Sequence, residues 1–336
     1  MIEFINKIPK AELHLHIEGT LEPKLMFELA KRNNIKLEYK SIKEIKNAYN
    51  FTNLQSFLDI YYSGAKVLIT EQDFYDLTFE YLLKCKKNSI IHTEIFFDPQ
   101  THTSRNIEFK TVINGITNAL EDGKNELGIS SKLIMCFLRH LSQEDAFKTL
   151  EQASKFKEKI IGIGLDSSEI GNPPSKFKDV YEEAKKLGFM LVAHAGEEGS
   201  YTFINDALDI LKVNRIDHGV QAVYNNKLMQ RLKEEQMALT VCPLSNTKLK
   251  VFENMKQHTI KQMLNFGLNV TVNSDDPAYF GGYLNDNFHA IYKNLDLSKE
   301  DIITLVKNSF NSSFISKELK KEYLKKVDDF IAKHTS

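Results

Sequence analysis

Residues 189–197 read FMLVAHAGE, an apolar run that ends in a histidine and a glutamate. Similar runs recur along the chain, and charged stretches of helical character, such as residues 175–188 and 224–236, lie between them. Near-continuous apolar strands that alternate with amphipathic helices are typical of a parallel sheet covered by helices. The eight runs span residues 11–18, 89–98, 131–138, 160–166, 189–197, 215–220, 237–245 and 268–276.

The number of runs favours a closed barrel. Eight βα units in 336 residues fit an α/β fold of the (β/α)8 (TIM) barrel type better than an open, doubly wound sheet. The interval between the first two runs is too long for one helix, so we expect residues 25–85 to form a helical cap inserted after the first strand. Residues 297–334 are expected to add closing helices. No Pro-, Gly- or Ser-rich linker divides the sequence, so residues 1–336 are expected to form a single domain.

Composition excludes several classes of protein. The chain has 44 Lys+Arg against 45 Asp+Glu, without the basic excess of a nucleic-acid or membrane-surface binder. No stretch approaches the roughly 20 apolar residues of a membrane span, and the first residues lack the apolar region of a signal peptide. Three scattered cysteines, Cys85, Cys136 and Cys242, do not make a disulfide framework. We expect a cytoplasmic protein whose partner is a small molecule, and the oligomeric state stays open.

Polar residues gather at the ends of the apolar runs. In a barrel, the carboxyl ends of the strands form the face where active sites are built. His14 and His16 are two residues apart on the first run, so both side chains should point into the barrel. His194 lies near the end of the fifth run, and Asp275 near the end of the eighth. Three imidazoles and a carboxylate form a donor set that suits zinc, with one position left for water.

Each of these features has a structural alternative. A His-x-His pair on a strand is more often a hydrogen-bonded core pair than a metal site, and His194 taken alone fits a core histidine. Adjacent aspartates such as Asp275 and Asp276 often solvate a loop or cap a helix. All of these residues share the same end of the inferred strands with Glu197 and His218. That shared location favours a catalytic metal site.

Five segments then give a resemblance to a known family. They read PKAELHLHIEGTLEP (9–23), HAGEEGS (194–200), RIDHGV (215–220), CPLSNTKL (242–249) and NSDDPAYFGGY (273–283). Together and in this order, they resemble the signature segments of the adenosine/adenine deaminase family of mononuclear zinc enzymes. The resemblance extends from about residue 8 to residue 290. It implies a hydrolytic deaminase of purines that serves purine salvage.

The resemblance also implies a role for each matching residue. One zinc ion per chain would be held by His14, His16, His194 and Asp275. Glu197 corresponds to the acid that serves N1 of the purine, and Asp276 to the carboxylate that faces N7. His218 corresponds to the histidine beside the attacking water, which Asp275 also orients. The fourth run is followed by serines and Glu169 and supplies no bridging lysine of the kind used by two-metal barrels, which favours one metal.

Two departures from the nucleoside deaminases favour the adenine deaminase branch. Glu18 stands where nucleoside enzymes usually carry an aspartate that meets the ribose, so its longer side chain would fill the space of the sugar. Ser167 lies nearest the position of a glycine whose N–H meets N3. A buried carboxylate, Glu18 or Glu169, would also accept a hydrogen bond from N9–H of free adenine, a donor that adenosine lacks. We therefore expect hydrolysis of adenine to hypoxanthine and ammonia.

Several alternatives stay open at this point. An adenosine deaminase would use the same metal and acid with a pocket open to ribose, and another 6-aminopurine would need only a different pocket volume. A non-catalytic purine-binding protein is disfavoured because the whole set of metal and acid residues is intact. For Glu18, the alternative is a strand-end carboxylate bonded to backbone N–H groups or to Lys24. Asp98, after the second run, could shape the pocket or pair with its neighbours.

Overall fold

The computed structural model describes residues 1–334, in which eight parallel strands wind into a nearly closed barrel. The strands follow the order of the chain, and each pairs in parallel with the next. They are β1 (Lys10–Glu12), β2 (Ile90–Phe97), β3 (Ser130–Leu138), β4 (Gly162–Asp166), β5 (Met190–Ala195), β6 (Arg215–His218), β7 (Ala238–Val241) and β8 (Asn269–Val272). The prediction of a (β/α)8 barrel is confirmed.

The seam between β8 and β1 is closed by single backbone bonds rather than by a regular ladder. Asp275 N donates to His14 O at 3.2 Å, and His16 N donates to Asp275 O at 3.0 Å. The predicted extent of the first strand, residues 11–18, is wrong, since β1 ends at Glu12. His14 and His16 follow it because the chain there makes only isolated bridges to its neighbours on both sides.

Helices fill the crossovers between the strands and extend the barrel. The α-helices are α1 (Ile2–Lys7), α2 (Pro23–Arg32), α3 (Ile42–Ala48), α4 (Leu54–Ala65), α5 (Glu71–Lys87), α6 (Pro99–Thr103), α7 (Phe109–Asp122), α8 (Gln143–Ser154), α9 (Lys178–Lys186), α10 (Tyr201–Asp206), α11 (Asn226–Glu234), α12 (Pro243–Lys248), α13 (Ile260–Phe266), α14 (Pro277–Phe280), α15 (Leu284–Asn294), α16 (Lys299–Ser312) and α17 (Lys317–Lys333). Helices α2 to α5 occupy the interval where the sequence predicts the cap, and α15 to α17 close the chain. Within residues 1–334, no helix is long and apolar enough to cross a membrane.

Helix α5 shows how the local sequence sets these boundaries. The Thr70 side chain accepts a hydrogen bond from Asp73 N at 3.3 Å, and the Asp73 side chain accepts one from Thr70 N at 2.8 Å. This reciprocal capping box satisfies backbone N–H groups that the first turn would otherwise leave unpaired. Asp73 also accepts a hydrogen bond from Arg32 at 2.9 Å, which fastens α5 to α2.

A small apolar cluster fills the inside of the barrel. Its buried members are Phe96, Ile134, Cys136 and Val192, with Ile161 and Phe314 packed against it. Gly164 belongs to the same layer, since a Cβ there would lie 2.5 Å from Cys136 Sγ. The ring of Phe96 lies 4.9 Å from that of His14, so this cluster forms the floor of the upper end of the barrel.

Beneath this floor lies a buried ion pair. Arg215, at the start of β6, donates from Nη1 to Glu94 Oε2 at 2.5 Å and from Nη2 to Leu13 O at 3.0 Å. The other oxygen of Glu94 lies 3.4 Å from His92 Nε2 and accepts a hydrogen bond from Phe314 N. Burial alone would raise the pKa of Glu94, but Arg215 holds it at about 2. We call His92, Glu94 and Arg215 the lower cluster.

Candidate active site

Five buried side chains, from the ends of four strands, converge at the upper, carboxyl end of the barrel. His14 and His16 follow β1, His194 lies in β5, His218 ends β6, and Asp275 follows β8. His14 Nε2 lies 3.2 Å from Asp275 Oδ1. His16 Nε2 lies 3.5 Å from that same oxygen and 3.1 Å from His194 Nε2. The structure therefore brings together the residues that the sequence picks out as metal donors.

These three separations, of the six among the four predicted donors, are close to those of ligands that share a metal ion. Ligands about 2.0–2.2 Å from a tetrahedral centre lie about 3.3–3.6 Å from one another. Burial lowers the pKa of His16 and of His194, so both rings are neutral and can direct lone pairs at a cation. Burial alone would raise the pKa of Asp275, but His14 and His218 hold it well below its usual range. Neutral imidazoles beside an ionised carboxylate could hold one divalent cation.

His218 offers a second combination of donors. One group whose donor atoms all lie within 4.8 Å of one another comprises His14, His194, His218 and Asp275. His218 Nε2 lies 3.7 Å from Asp275 Oδ2, farther than the contacts that His16 makes, and 3.6 Å from Glu197 Oε2. Burial lowers the pKa of His218 to about 3. Neutral His218 thus stands between the donor set and the predicted acid.

Residues behind the donors orient the histidine rings. Thr240 Oγ1 lies 2.9 Å from His14 Nδ1 and donates to Asp217 Oδ1 at 2.8 Å. The second oxygen of Asp217 lies 3.8 Å from His194 Nδ1. Metal-binding histidines commonly present their other ring nitrogen to a carboxylate or hydroxyl, which fixes the tautomer and the ring plane. Asp217 therefore supports two of the donors at once.

Two neighbouring carboxyl groups, Asp98 and Asp166, approach the far side of His16. Asp166 Oδ2 lies 3.4 Å from His16 Nδ1, and Asp98 Oδ1 lies 4.0 Å from it. Burial and the charge of Asp98 raise the pKa of Asp166, and burial and Glu18 raise the pKa of Asp98. Among the described residues, Asp98 Oδ1 and both oxygens of Asp166 lack a hydrogen-bond partner. Polar atoms buried without a partner mark a place that a ligand can satisfy.

Glu197 follows β5 by two residues and faces the donor set. Burial, with the nearby charges of Asp275 and Glu169, raises the pKa of Glu197 well above its usual range. Burial therefore favours the protonated form of this carboxyl group. Within the part of the chain that the structure describes, Glu197 Oε1 has no hydrogen-bond partner. A protonated carboxyl group of this kind can donate a proton to a bound molecule.

Glu169 builds the loop that carries Glu197. Its carboxylate accepts hydrogen bonds from Gly196 N at 2.6 Å, Glu197 N at 3.1 Å, Glu198 N at 3.0 Å and Gly199 N at 2.8 Å. Both oxygens are occupied, so the expectation that Glu169 meets the N9 edge of a purine is wrong.

Asp276 reaches the same cavity from the seam of the barrel. Burial and the adjacent Asp275 raise the pKa of Asp276 well above its usual range, which favours its protonated form as well. Asp276 Oδ1 has no hydrogen-bond partner among residues 1–334. Gly19 makes room for it, since a Cβ at that position would lie 2.0 Å from Asp276 Oδ1.

Glu18 is absent from the set of described residues that line the cavity. Its Oε1 accepts a hydrogen bond from Asp98 N at 3.1 Å and lies 2.9 Å from His102 Nε2. Arg105 donates to the other ring nitrogen of His102 at 2.8 Å, so Nε2 carries the proton that Glu18 accepts. Burial raises the pKa of Glu18 to about 7. From the sequence, backbone N–H groups or Lys24 are the alternative partners of Glu18. The structure shows the backbone N–H of Asp98 in this role, and not Lys24.

Ser167 lines the cavity directly after β4. Its φ of 74° lies in the left-handed region that favours glycine, so serine keeps the backbone shape of the glycine whose position it is predicted to hold. Its Oγ accepts a hydrogen bond from Tyr62 OH at 3.0 Å and lies 2.8 Å from His140 Nδ1. His218 and Asp275 share the unusual backbone, with φ of 64° and 63°. Strained residues of this kind cluster at functional sites.

The cavity at the mouth of the barrel has an empty volume of about 380 Å³, part of which is open to solvent. Helix α4 covers it with apolar and aromatic side chains, namely Leu54, Phe57, Leu58, Tyr61 and Tyr62. The polar lining comprises His16, Asp98, Asp166, Ser167, His194, Glu197, His218, Asp275 and Asp276. An apolar roof over a few convergent polar groups is typical of a small-molecule site.

Residues 9–330 match the adenosine deaminase family. The chain belongs to this family. Similar members are the adenine deaminases of Psychrobacter cryohalolentis, 66% identical over 98% of this chain and 100% of that protein, and of Acinetobacter baylyi, 62% identical over 97% and 98%. The crystal structure of adenine deaminase from Arthrobacter aurescens is 49% identical, with a TM-score of 0.95 over 97% of this chain and 99% of that one. An amidohydrolase from Burkholderia ambifaria, solved with bound Zn, shares the fold at 23% identity and a TM-score of 0.90, over 99% and 94% of the two chains.

The resemblance to the adenosine deaminase family is therefore confirmed. Sequence reasoning gave no role to three residues that support the site: Asp166, Asp217 and Thr240. Each is a polar residue within or at the end of an otherwise apolar strand, and each is buried. Because buried polar groups need partners, a polar residue inside an apolar run is the signal that could have found them.

Proposed function

We propose that this protein catalyses the zinc-dependent hydrolytic deamination of adenine, which converts adenine and water into hypoxanthine and ammonia. Relatives 62–66% identical over nearly the whole chain are named adenine deaminases. The observation that carries the chemistry is the buried, protonated Glu197 in the same cavity as the histidine and aspartate donors. Addition of water to C6 of a purine needs an activated water molecule and a proton at N1, and this arrangement supplies both.

We assign one zinc ion per chain to His14, His16, His194 and Asp275. Three nitrogen donors and one carboxylate suit zinc, and their contacts of 3.1–3.5 Å match neighbouring ligands of one ion. When bound, zinc supplies a Lewis acid that lowers the pKa of a water molecule to about 7. β4 ends at Asp166, where a two-metal barrel would carry a bridging lysine, and this supports a single ion.

Glu197 delivers the proton that the purine ring requires. Attack of water on C6 moves an electron pair of the C6–N1 double bond to N1, and the Glu197 O–H gives N1 its proton. His218 and Asp275 orient the attacking water and take up its first proton. Transfer of this proton from His218 to Glu197 Oε2, 3.6 Å away, restores the Glu197 carboxyl group. The proton of the new C6 hydroxyl group leaves with the amino group as ammonia. This sequence leaves a carbonyl group at C6 and a proton on N1, as in hypoxanthine.

The remaining polar groups orient the base. The protonated carboxyl group of Asp276 donates to N7, so the imidazole proton of bound adenine lies on N9. Ser167 is assigned to the N3 edge, where its left-handed backbone can turn an N–H toward the ring. Glu18 is assigned to the wall beyond N9, through its hydrogen bond to Asp98. A wall of buried carboxyl groups at this edge favours the free base over the nucleoside.

Ammonia release from one pure preparation tests the proposal. The substrates are adenine, adenosine, AMP and cytosine, and we expect the highest kcat/KM for adenine. The Glu197→Gln variant, prepared in parallel, has a side chain of the same size and controls for contaminating deaminases. Release from none of the four would contradict the activity. Adenosine used at least as efficiently as adenine would contradict the substrate and leave the metal chemistry intact.

A further inference from the structure

The order of the strands fixes which edge of the purine faces which wall of the cavity. Glu197 follows β5 and His218 ends β6, and β1 and β2 lie on the opposite side of an eight-stranded barrel. In adenine, N9 lies across the fused rings from N1. With N1 at Glu197, as the proposed function requires, N9–H points toward the side of β1 and β2. An acceptor for this donor must therefore come from the end of β1 or of β2.

Asp98, directly after β2, is the carboxyl group that faces the cavity on this side. It is 2% exposed, lines the cavity, and has an Oδ1 without a hydrogen-bond partner among the residues that the structure describes. Its Oδ2 accepts a hydrogen bond from Tyr61 OH of α4 at 3.2 Å, which fixes the orientation of the group. One oxygen is thus held by Tyr61, and the other can accept from a bound molecule when the neighbouring carboxyl group of Asp166 does not donate to Asp98.

Two other carboxyl groups compete for this role, since Glu18 Oε2 and both oxygens of Asp166 also lack a hydrogen-bond partner among the described residues. Glu18 does not line the cavity, which excludes it. Glu18 stands behind Asp98, where its Oε1 binds the Asp98 N–H at 3.1 Å and meets His102 at 2.9 Å. Asp166 comes from β4 and lies closer to His16 Nδ1 than Asp98 does, at 3.4 Å against 4.0 Å. It is therefore the carboxyl group placed to orient that ring.

We propose that Asp98 accepts the N9–H of the base and thereby determines specificity, and that Glu18 is a positioning residue that holds the Asp98 backbone. The inference rests on the proposed function and names the residue that selects its substrate. A substituent on N9 removes the donor and presses carbon against a buried acceptor. A site built to bind a substrate N–H strongly rejects an analogue without it, because its own polar group is then left unpaired.

The test compares adenine with 9-methyladenine, which differs by one methyl group and lacks the donor. We expect wild-type kcat/KM for 9-methyladenine to be lower by roughly 10- to 100-fold, the range for losing a hydrogen bond to a buried charged group. Asp98→Ala should lower kcat/KM for adenine by about the same factor and should not lower it for 9-methyladenine. The ratio of the two substrates should therefore fall toward one.

Matched variants distinguish loss of the contact with N9–H from a general loss of activity or of zinc. Asp98→Asn keeps an oxygen of the same reach while its amide nitrogen donates to Tyr61 OH, so it should recover most of the adenine preference that Asp98→Ala loses. Glu18→Gln should raise KM for adenine with a smaller change in kcat. It weakens the hydrogen bond that holds the Asp98 backbone but leaves the Asp98 carboxyl group in place as the acceptor. Asp166→Ala should slow both substrates alike and lower the zinc content, which is measured for every variant.

The outcomes distinguish the two proposals. A wild-type protein that releases ammonia from neither base contradicts the proposed function. A wild-type protein that deaminates adenine and 9-methyladenine equally well overturns the role of N9–H, and this comparison needs no variant to fold. A preference that survives in Asp98→Ala, or that collapses in Asp166→Ala instead, overturns the assignment to Asp98.

Discussion

The upper and lower ends of the barrel bury charge in different ways. In the lower cluster, Arg215 and Glu94 meet at 2.5 Å, and further bonds from backbone groups surround them. At the upper end, we call Asp166, His194, Glu197 and Asp276 the upper cluster. Each of its members has a buried polar atom without a hydrogen-bond partner among residues 1–334, although that of His194 is Nδ1, on the side of Asp217. In the lower cluster only Arg215 Nε lacks such a partner among these residues.

The difference separates structural polar groups from functional ones. Buried polar groups in proteins are normally paired, so unpaired groups gathered in one cavity indicate a site that a metal and a substrate complete. Substitutions in the upper cluster should therefore change chemistry more than stability. Substitutions in the lower cluster should do the reverse.

The largest effect is expected for His14→Ala. Loss of this donor should abolish adenine deamination and reduce the zinc content well below one per chain, because three ligands are left in a disturbed geometry. Elemental analysis and ammonia release measure both. His92→Ala is the matched control, since it removes a buried histidine of the lower cluster. It should keep the zinc, and a His14→Ala protein with full zinc and a normal rate would refute the ligand assignment.

Glu197→Gln should lower kcat by about 10²- to 10⁴-fold while the protein stays folded and keeps its zinc. The amide can donate a hydrogen bond to N1 but cannot transfer a proton. Glu94→Gln makes the same chemical change in the lower cluster and should lower the melting temperature with little change in kcat. Retention of more than roughly a tenth of the wild-type rate in Glu197→Gln, against this range, would place the acid elsewhere.

Arg215→Met should reduce the free energy of unfolding by about 3–5 kcal/mol, because it leaves Glu94 buried without its partner. Chemical denaturation measures the change. The folded variant should lose less kcat for adenine than Glu197→Gln does, because Arg215 reaches the site only through Asp217 Oδ1, 3.7 Å from its Nε, and through its hydrogen bond to Leu13 O. An unchanged free energy of unfolding, or a selective loss of kcat, would contradict the claim that the lower cluster serves stability and the upper cluster serves chemistry.

The smallest effect concerns pH. The pKa of Glu94 is about 2 in the folded protein against an ordinary value of 4.5, so its pairing stabilises the fold above pH 4.5. That contribution is lost as the pH falls from the ordinary value toward the folded one. The gap in melting temperature between wild type and Arg215→Met should therefore narrow between about pH 5 and about pH 3. A gap that stays constant would show that another interaction accounts for the loss.

The fold could be predicted because its signal is local. A short periodic pattern of apolar residues predicts each strand and helix, and eight such βα units are compatible with few architectures. The extent of β1 could not be read in the same way. It depends on how His14 and Asp275 meet across the seam, 261 residues apart.

The candidate site was predictable where several segments pointed to one place. The proposed metal donors, Glu197 and Asp276 all lie at strand ends, and the barrel brings strand ends together. Glu18 and Glu169 share that location, yet their hydrogen bonds turn them into the support of other segments, 80 residues away for Asp98 and 27 to 30 residues away for the Glu197 loop. Hydrogen-bond donors from distant segments decide which carboxyl group faces a cavity, and these donors cannot be identified from the sequence.

Titration of zinc into metal-free protein tests whether deamination of adenine depends on one zinc ion per chain. Adenine deamination is measured at each ratio of zinc to chain, with adenosine assayed alongside. We predict no activity without metal, a linear rise in the rate on adenine, and a plateau at one zinc per chain, with adenosine far slower throughout. Activity in the metal-free protein, or a plateau that is reached only at two zinc ions per chain, would contradict this prediction.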